Sequence, residues 1–175
     1  MHSKCLFLFA TCLVFAEPAW GAHTLKPEEQ RVLQRWLVQH TEYRIAADAD
    51  CQCPEDILEM RTQSDGVWKP IPDYHPYTVT GDFNGDGAED FAIVLIDSRA
   101  KEDGYTLLVF NGPFKSEIAP PAFVQSLQLK YRGLFYGPPR PKPYRLLVGR
   151  FASDSGVILV PHRKGYRLMA ASPEE

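Results

Sequence analysis

Cysteine and histidine are scarce in this chain of 175 residues, with four of the first and five of the second. Neither is spaced for a zinc set, because Cys51-Gln52-Cys53 has no second Cys or His pair to complete it. A nucleophile elbow, a phosphate-binding glycine loop and a zinc-protease helix are all absent, which removes the usual sequence grounds for an acyl hydrolase, a nucleotide enzyme or a zinc protease. No segment recurs at a fixed interval, so a repeat architecture is not expected. Apolar runs are short. Cys5 to Phe15 is too brief to span a bilayer as a permanent helix, and no later stretch is long enough either.

What the chain does have begins at its N-terminus. His2 and Lys4 precede the apolar run, and the small residues Ala19, Gly21 and Ala22 follow it, which is the layout of a secretory signal peptide. Cleavage is expected after Gly21 or Ala22. Lipid attachment at Cys12 is a poor alternative, because too little apolar chain precedes it. With residues 1–22 as signal peptide, 153 of the 175 residues remain, enough for a single domain, 23–175, with a real core. Hydrophobic residues make up 45% and aromatics 12%, which places the chain among globular rather than disordered compositions. The expected location is the periplasm or the medium, as a monomer with no transmembrane segment and no nucleic-acid partner.

The most specific stretch is Gly81-Asp82-Phe83-Asn84-Gly85-Asp86-Gly87-Ala88-Glu89-Asp90. Asp82, Asn84, Asp86 and Asp90 occupy positions 1, 3, 5 and 9 of an oxygen-ligand loop, and Ala88 at position 7 offers its backbone carbonyl. Like charges this close repel unless a cation sits among them. Calcium takes six to eight oxygens in flexible geometry, whereas magnesium demands a smaller octahedron and retains water, so calcium is the expected cofactor. An EF-hand is excluded: position 12 is Ile93 rather than glutamate, and Phe91 to Ile96 is a strand-like apolar run, not a helix. The remaining reading is an Asx-rich hairpin turn without metal.

The Gly-Asp-Phe-Asn-Gly-Asp-Gly-x-x-Asp segment, with apolar Phe83 and Phe91, resembles the calcium loop of FG-GAP (VCBS-type) repeats over residues 79–95. The resemblance implies a loop joining two strands, with calcium held by the positions named above. There is one copy, and the chain is too short for a propeller of four or more blades.

Along the rest of the chain, Pro27-Glu28-Glu29 and Pro54-Glu55-Asp56 carry the proline and acidic residues of helix starts. The spacing of Val32, Leu33, Trp36 and Leu37 predicts a helix to about His40, and Ile57, Leu58 and Met60 predict another through Arg61, ended by Ser64-Asp65-Gly66. Lys69 to Tyr77 is too proline-rich for regular structure and is expected as an ordered loop beside the calcium site. Strands are expected near Tyr77–Thr80, Phe91–Asp97, Tyr105–Phe110, Phe123–Leu129, Gly133–Tyr136, Tyr144–Phe151, Val157–Val160 and Tyr166–Met169, with Tyr43–Ala46 a short extended piece. The fold class is α+β, with two N-terminal helical segments packed on one face of an antiparallel sheet or meander of about seven strands.

Other chemistry is sparser. Cys51 and Cys53 are expected to pair in an oxidising compartment, as a stiffener of the following helix or as a redox pair. Asp73 and His75 form the most tempting acid–base pair, and with Tyr74 and Tyr77 they make a candidate recognition surface. Residues 23–117 carry nine basic and eighteen acidic side chains, whereas 122–171 carry nine basic ones against Asp154 alone. The two halves either complement each other or present a basic face to an anionic partner. These features combine into a non-catalytic calcium-binding module that engages an envelope or extracellular protein or glycan. An envelope hydrolase using Asp73 and His75 with the ion is the alternative.

Overall fold

The computed structural model describes residues 25–63, 69–100, 104–116, 118–137, 142–151, 153 and 155–171. The segment expected to be a signal peptide, the turn expected at Ser64-Asp65-Gly66, and Asp154 lie outside them. In order come helix α1 (Pro27–Gln39), strand β1 (Tyr43–Ile45), a 3-10 turn (Asp48–Cys51) and helix α2 (Pro54–Thr62). Strands β2 (Thr78–Gly81), β3 (Asp90–Asp97), β4 (Tyr105–Phe110) and β5 (Phe123–Ser126) follow. The chain closes with β6 (Arg132–Phe135), β7 (Leu146–Arg150), β8 (Gly156–His162) and β9 (Gly165–Ala170). No helix among the described residues is long and apolar enough to cross a membrane.

The α+β class holds, but the single sheet does not: the nine described strands form two antiparallel sheets. The first has the order β1-β3-β4-β5, with β2 pairing β3 beyond the end of β1, and the second is the meander β6-β7-β8-β9. Phe91–Ile96 of β3 and Leu107–Phe110 of β4 are continuously apolar because both faces of the first sheet are covered. Phe91, Ile93, Leu95, Leu108 and Phe110 pack with Val32 and Leu33 of α1. The alternate residues Ala92, Val94, Leu107 and Val109 meet Leu134, Leu146, Val148 and Leu159 of the second sheet. The layers are therefore α1, first sheet, second sheet. Only α1 takes the expected place on the outer face. α2 instead contributes Ile57 to the core between the sheets.

Both helices start where the sequence signals them. In α1, Pro27 stands at the first position, and Glu29 Oε2 accepts the Lys26 N–H at 2.7 Å, satisfying a donor that the helix leaves unpaired. Glu29 is buried, and that burial pushes its carboxyl above the ordinary range despite the cap bond. A carboxyl raised in the folded state adds stability below its unfolded pKa and loses it as pH rises through the folded value. Glu29→Gln, which keeps an acceptor for Lys26 but no charge, should therefore gain stability relative to wild type between pH 4 and pH 7 in urea titrations. A difference that stays flat with pH would contradict this.

Candidate metal centre

β2 and β3 are the arms of a hairpin, with Gly81 opposite Asp90, and residues 82–89 make its loop. Gly85 and Gly87 have φ of +81° and +85°, in the left-handed region that disfavours a Cβ, and an added Cβ would meet nothing within 4 Å at either site. Conformation, rather than crowding, selects glycine there. Asp82 Oδ1 accepts the N–H groups of Gly85 at 2.7 Å and Asp86 at 3.1 Å, and its Oδ2 accepts that of Gly87 at 3.0 Å. Asn84 Oδ1 accepts Asp86 N–H and Asp86 Oδ1 accepts Ala88 N–H, each at 2.8 Å, while Asn84 Nδ2 donates to Asp86 Oδ2 at 3.0 Å. The alternate spacing thus builds consecutive Asx turns that curl the backbone around its own side-chain oxygens.

Asp90 has a different setting. It is 0% exposed. Its Oδ1 accepts Gly112 N–H at 2.9 Å, and its Oδ2 accepts Phe83 N–H at 2.9 Å and Asn84 N–H at 3.3 Å, with the Tyr166 hydroxyl 3.3 Å away. One carboxylate therefore ties together both ends of the loop and the turn after β4. Burial pushes its carboxyl up, and the N–H groups of Gly112, Phe83 and Asn84 pull it back.

Two tyrosines from the second sheet's part of the chain complete the surroundings. The Tyr136 hydroxyl donates to the Asp82 carbonyl at 2.7 Å, and its ring stands edge-on to buried Phe83 at 5.1 Å. Gly81 permits this approach, because a Cβ there would run into the Tyr136 ring. Tyr166 lies 2.7 Å from Asn111 Oδ1 as well as 3.3 Å from Asp90. A phenol has one proton. The nearer acceptor, Asn111 Oδ1, takes that proton, and Asp90 Oδ2 stands at the longer, weaker contact. Burial, and next the charge of Asp90, push the Tyr166 phenol well above its ordinary value, so it remains a donor.

The donor set fits a hard cation in kind. A carboxylate or amide oxygen has two lone pairs; on the bonds above, Asp82 Oδ1 and Asp90 Oδ2 are fully used, whereas Asp82 Oδ2, Asn84 Oδ1, both oxygens of Asp86 and Asp90 Oδ1 each keep capacity for one more. None of Asp82, Asp86 and Asp90 has an ion pair with a basic side chain among the described residues, where Glu89 is the loop's one paired acid, with Lys26 at 3.0 Å. The oxygens face backbone amides rather than one common point, and no group of three His, Cys, Asp or Glu among the described residues is arranged to hold a metal. An ion at this loop would exchange some amide bonds for its own.

The other candidate residues fall elsewhere. His75 Nδ1 lies 3.0 Å from Asp48 Oδ1, not bonded to Asp73, which is exposed. Arg61 Nη2 reaches Asp48 Oδ2 at 2.5 Å, and the Arg61 guanidinium donates to the Tyr74 carbonyl at 2.6 and 2.9 Å. This cluster clamps α2 to the proline-rich stretch, which packs on α2 and the β6 end rather than beside the loop. Tyr74 and Tyr77 are 6% and 2% exposed, so they are core residues and not a recognition surface. Tyr74 stacks on Phe135 at 5.7 Å, and the Tyr77 hydroxyl donates to the Leu129 carbonyl at 2.9 Å. An aromatic ring gains more from such burial than from display.

Cys51 and Cys53 are disulfide-bonded, with their Cα atoms 5.2 Å apart. Cys53 precedes the first residue of α2, and the Cys51 carbonyl accepts Tyr131 N–H at 2.9 Å, so the bridge joins the helix start to the β6 side. At 0% and 4% exposure, the pair is shielded from attack by an outside thiolate, which disfavours redox work and suits a staple. Nothing in the sequence tied Tyr136 or Tyr166 to the loop, or Asp48 to His75, since each acts across a long separation. Compared with protein-family models, curated proteins and solved structures, this chain gives no match.

Proposed function

We propose that this chain is an exported, non-catalytic calcium-binding domain of the cell envelope, in which Asp82, Asn84, Asp86, Asp90 and the Ala88 carbonyl hold the ion and a protein or glycan is the partner. The single observation that carries the reading is the hairpin loop itself. It places three carboxylates and an amide oxygen within nine residues, one carboxylate fully buried, and gives none of the three a basic partner among the described residues. A buried carboxylate without a counter-charge is costly, and a dication supplies that charge. Export rests on the signal-peptide layout of residues 1–22 and puts the loop where calcium is plentiful. The ion's role is to lock the turn between β2 and β3 and so to fix the surface around it for a partner. The arrangement around His75 supports clamping rather than hydrolysis, because Arg61 engages the same carboxylate that the imidazole does.

Binding to the folded state alone stabilises by about 2.7 kcal/mol at a hundred times the dissociation constant. For a domain of this size, that raises the melting midpoint by roughly 5–10 °C. Melting the mature chain in calcium and in chelator measures it. An unchanged midpoint would remove the reading, and magnesium should give the smaller shift.

A further inference from the structure

We infer that the outer face of the second sheet is a docking surface for an anionic lipid bilayer, engaged by Arg167, the basic turn beside it and Met169. The inference is independent of the calcium reading. It starts from the charge asymmetry of the chain, whose basic second half either neutralises the acidic first half or faces an anionic partner. The described ion pairs separate these outcomes. All of them join residues within 26–99 to one another. Of the nine basic residues in 122–171, Arg140 lies outside the described residues, and none of the others has an ion pair with a described acid. Arg132 of β6 and Arg150 of β7 stand directly opposite each other, an arrangement in which like charges repel.

Strand alternation places the rest of the face. Leu134, Val148, Leu159 and Leu168 belong to the inter-sheet core, so the residues next to them along each strand point away from it. On that outer side Phe135, Leu147, Ile158 and Met169 are cross-strand partners, one apolar row over all four strands. The row is covered at Leu147 and Ile158, 3% and 8% exposed, and opens at Met169, 41% exposed on the edge strand β9. The next pair on the same side is Val160 with exposed Arg167, and exposed Arg163 and Lys164 make the turn between β8 and β9. Cations flanking an open apolar side chain suit a surface whose anionic headgroups overlie hydrocarbon. A soluble polyanion would engage the cations and leave Met169 in water, so the apolar row favours the lipid.

The test uses residues 23–175, which hold every described element and omit the apolar run of Cys5 to Phe15. Sedimentation with vesicles of phosphatidylglycerol and phosphatidylcholine in equal parts is compared with sedimentation with phosphatidylcholine alone. Wild type should bind the anionic vesicles only, and should leave them in about 1 M sodium chloride, where the screening length falls to about 3 Å. A cation near an anionic surface is worth about five-fold in partition, so Lys164→Gln/Arg167→Gln should bind roughly twenty-five-fold more weakly. Arg31→Gln/Arg35→Gln makes the same change of charge on α1, two layers away, and should alter partition by less than about two-fold. Met169→Ser, at an exposed position that tolerates the change, should weaken vesicle binding and leave retention on dextran sulfate unaltered. Failure of wild type to sediment with the anionic vesicles overturns the inference, as does an equal loss in the α1 variant. Vesicle binding unaffected by Met169→Ser, with strong retention on dextran sulfate, makes the partner a soluble polyanion and overturns it as well.

Discussion

Phe91→Ala is expected to lower the free energy of unfolding by about 3–5 kcal/mol, the range for emptying a fully packed aromatic site. Phe91 is 0% exposed and is the second residue of β3, directly after Asp90, so its ring anchors β3 under α1. It stacks on Phe110 at 4.7 Å and meets Phe114 at 5.3 Å, and Phe110 is its direct cross-strand partner in β4. The cavity left by truncation would be lined by side chains of three elements that cannot all close in. Urea denaturation followed by circular dichroism measures the loss. Val124→Ala, at a side chain 52% exposed on β5, should change stability by less than about 0.5 kcal/mol in the same assay. A loss under about 1 kcal/mol for Phe91→Ala would mean that α1 does not seal this face.

Asp90→Ala should cost roughly 3 kcal/mol or more, and it should do so in chelator as well as in calcium. It strands three backbone donors at once, the N–H groups of Phe83, Asn84 and Gly112, while the Tyr166 hydroxyl keeps Asn111 Oδ1. Each buried donor left without an acceptor costs about 1–3 kcal/mol, and the sum is tempered where water can enter. Asp86→Ala, by contrast, removes an exposed carboxylate that accepts one backbone N–H and one side-chain amide, so in chelator it should cost about 1 kcal/mol or less. The two aspartates therefore separate two properties of one loop. Asp90 decides whether the hairpin holds its shape, and Asp86 should matter mainly when an ion is present. Equal losses in chelator would contradict this division.

The local elements were legible because their causes are local. Pro27 and Pro54 with acidic neighbours begin α1 and α2 where expected, and β4 has the predicted limits of Tyr105 and Phe110. The loop between β2 and β3 was legible for the same reason, since Asx turns and left-handed glycines depend on residues a few positions apart. Sheet membership was not legible. Phe91–Ile96 of β3 and Leu107–Phe110 of β4 are apolar at every position, so nothing in their pattern says that odd and even residues face different layers, one a helix and the other a second sheet. Tyr74 and Tyr77 were misplaced for a related reason: aromatics among prolines look the same in sequence whether displayed or buried, and only Phe135, Phe151 and Leu129, each more than fifty residues away, decide it. His75 was matched with the nearer Asp73, whereas its carboxylate is Asp48, brought up by the turn before the disulfide. Asp90 was legible as a member of the loop, but its burial beneath Tyr166 was not.

The central claim, that residues 82–90 hold calcium, is tested most directly by titrating calcium chloride into chelator-stripped mature chain in a calorimeter, beside the double variant Asp82→Ala/Asp86→Ala. The account predicts saturable heat at one ion per chain for wild type and none for the variant, with both chains keeping the same far-ultraviolet circular dichroism. No heat from wild type, or the same heat from a folded variant, would contradict it.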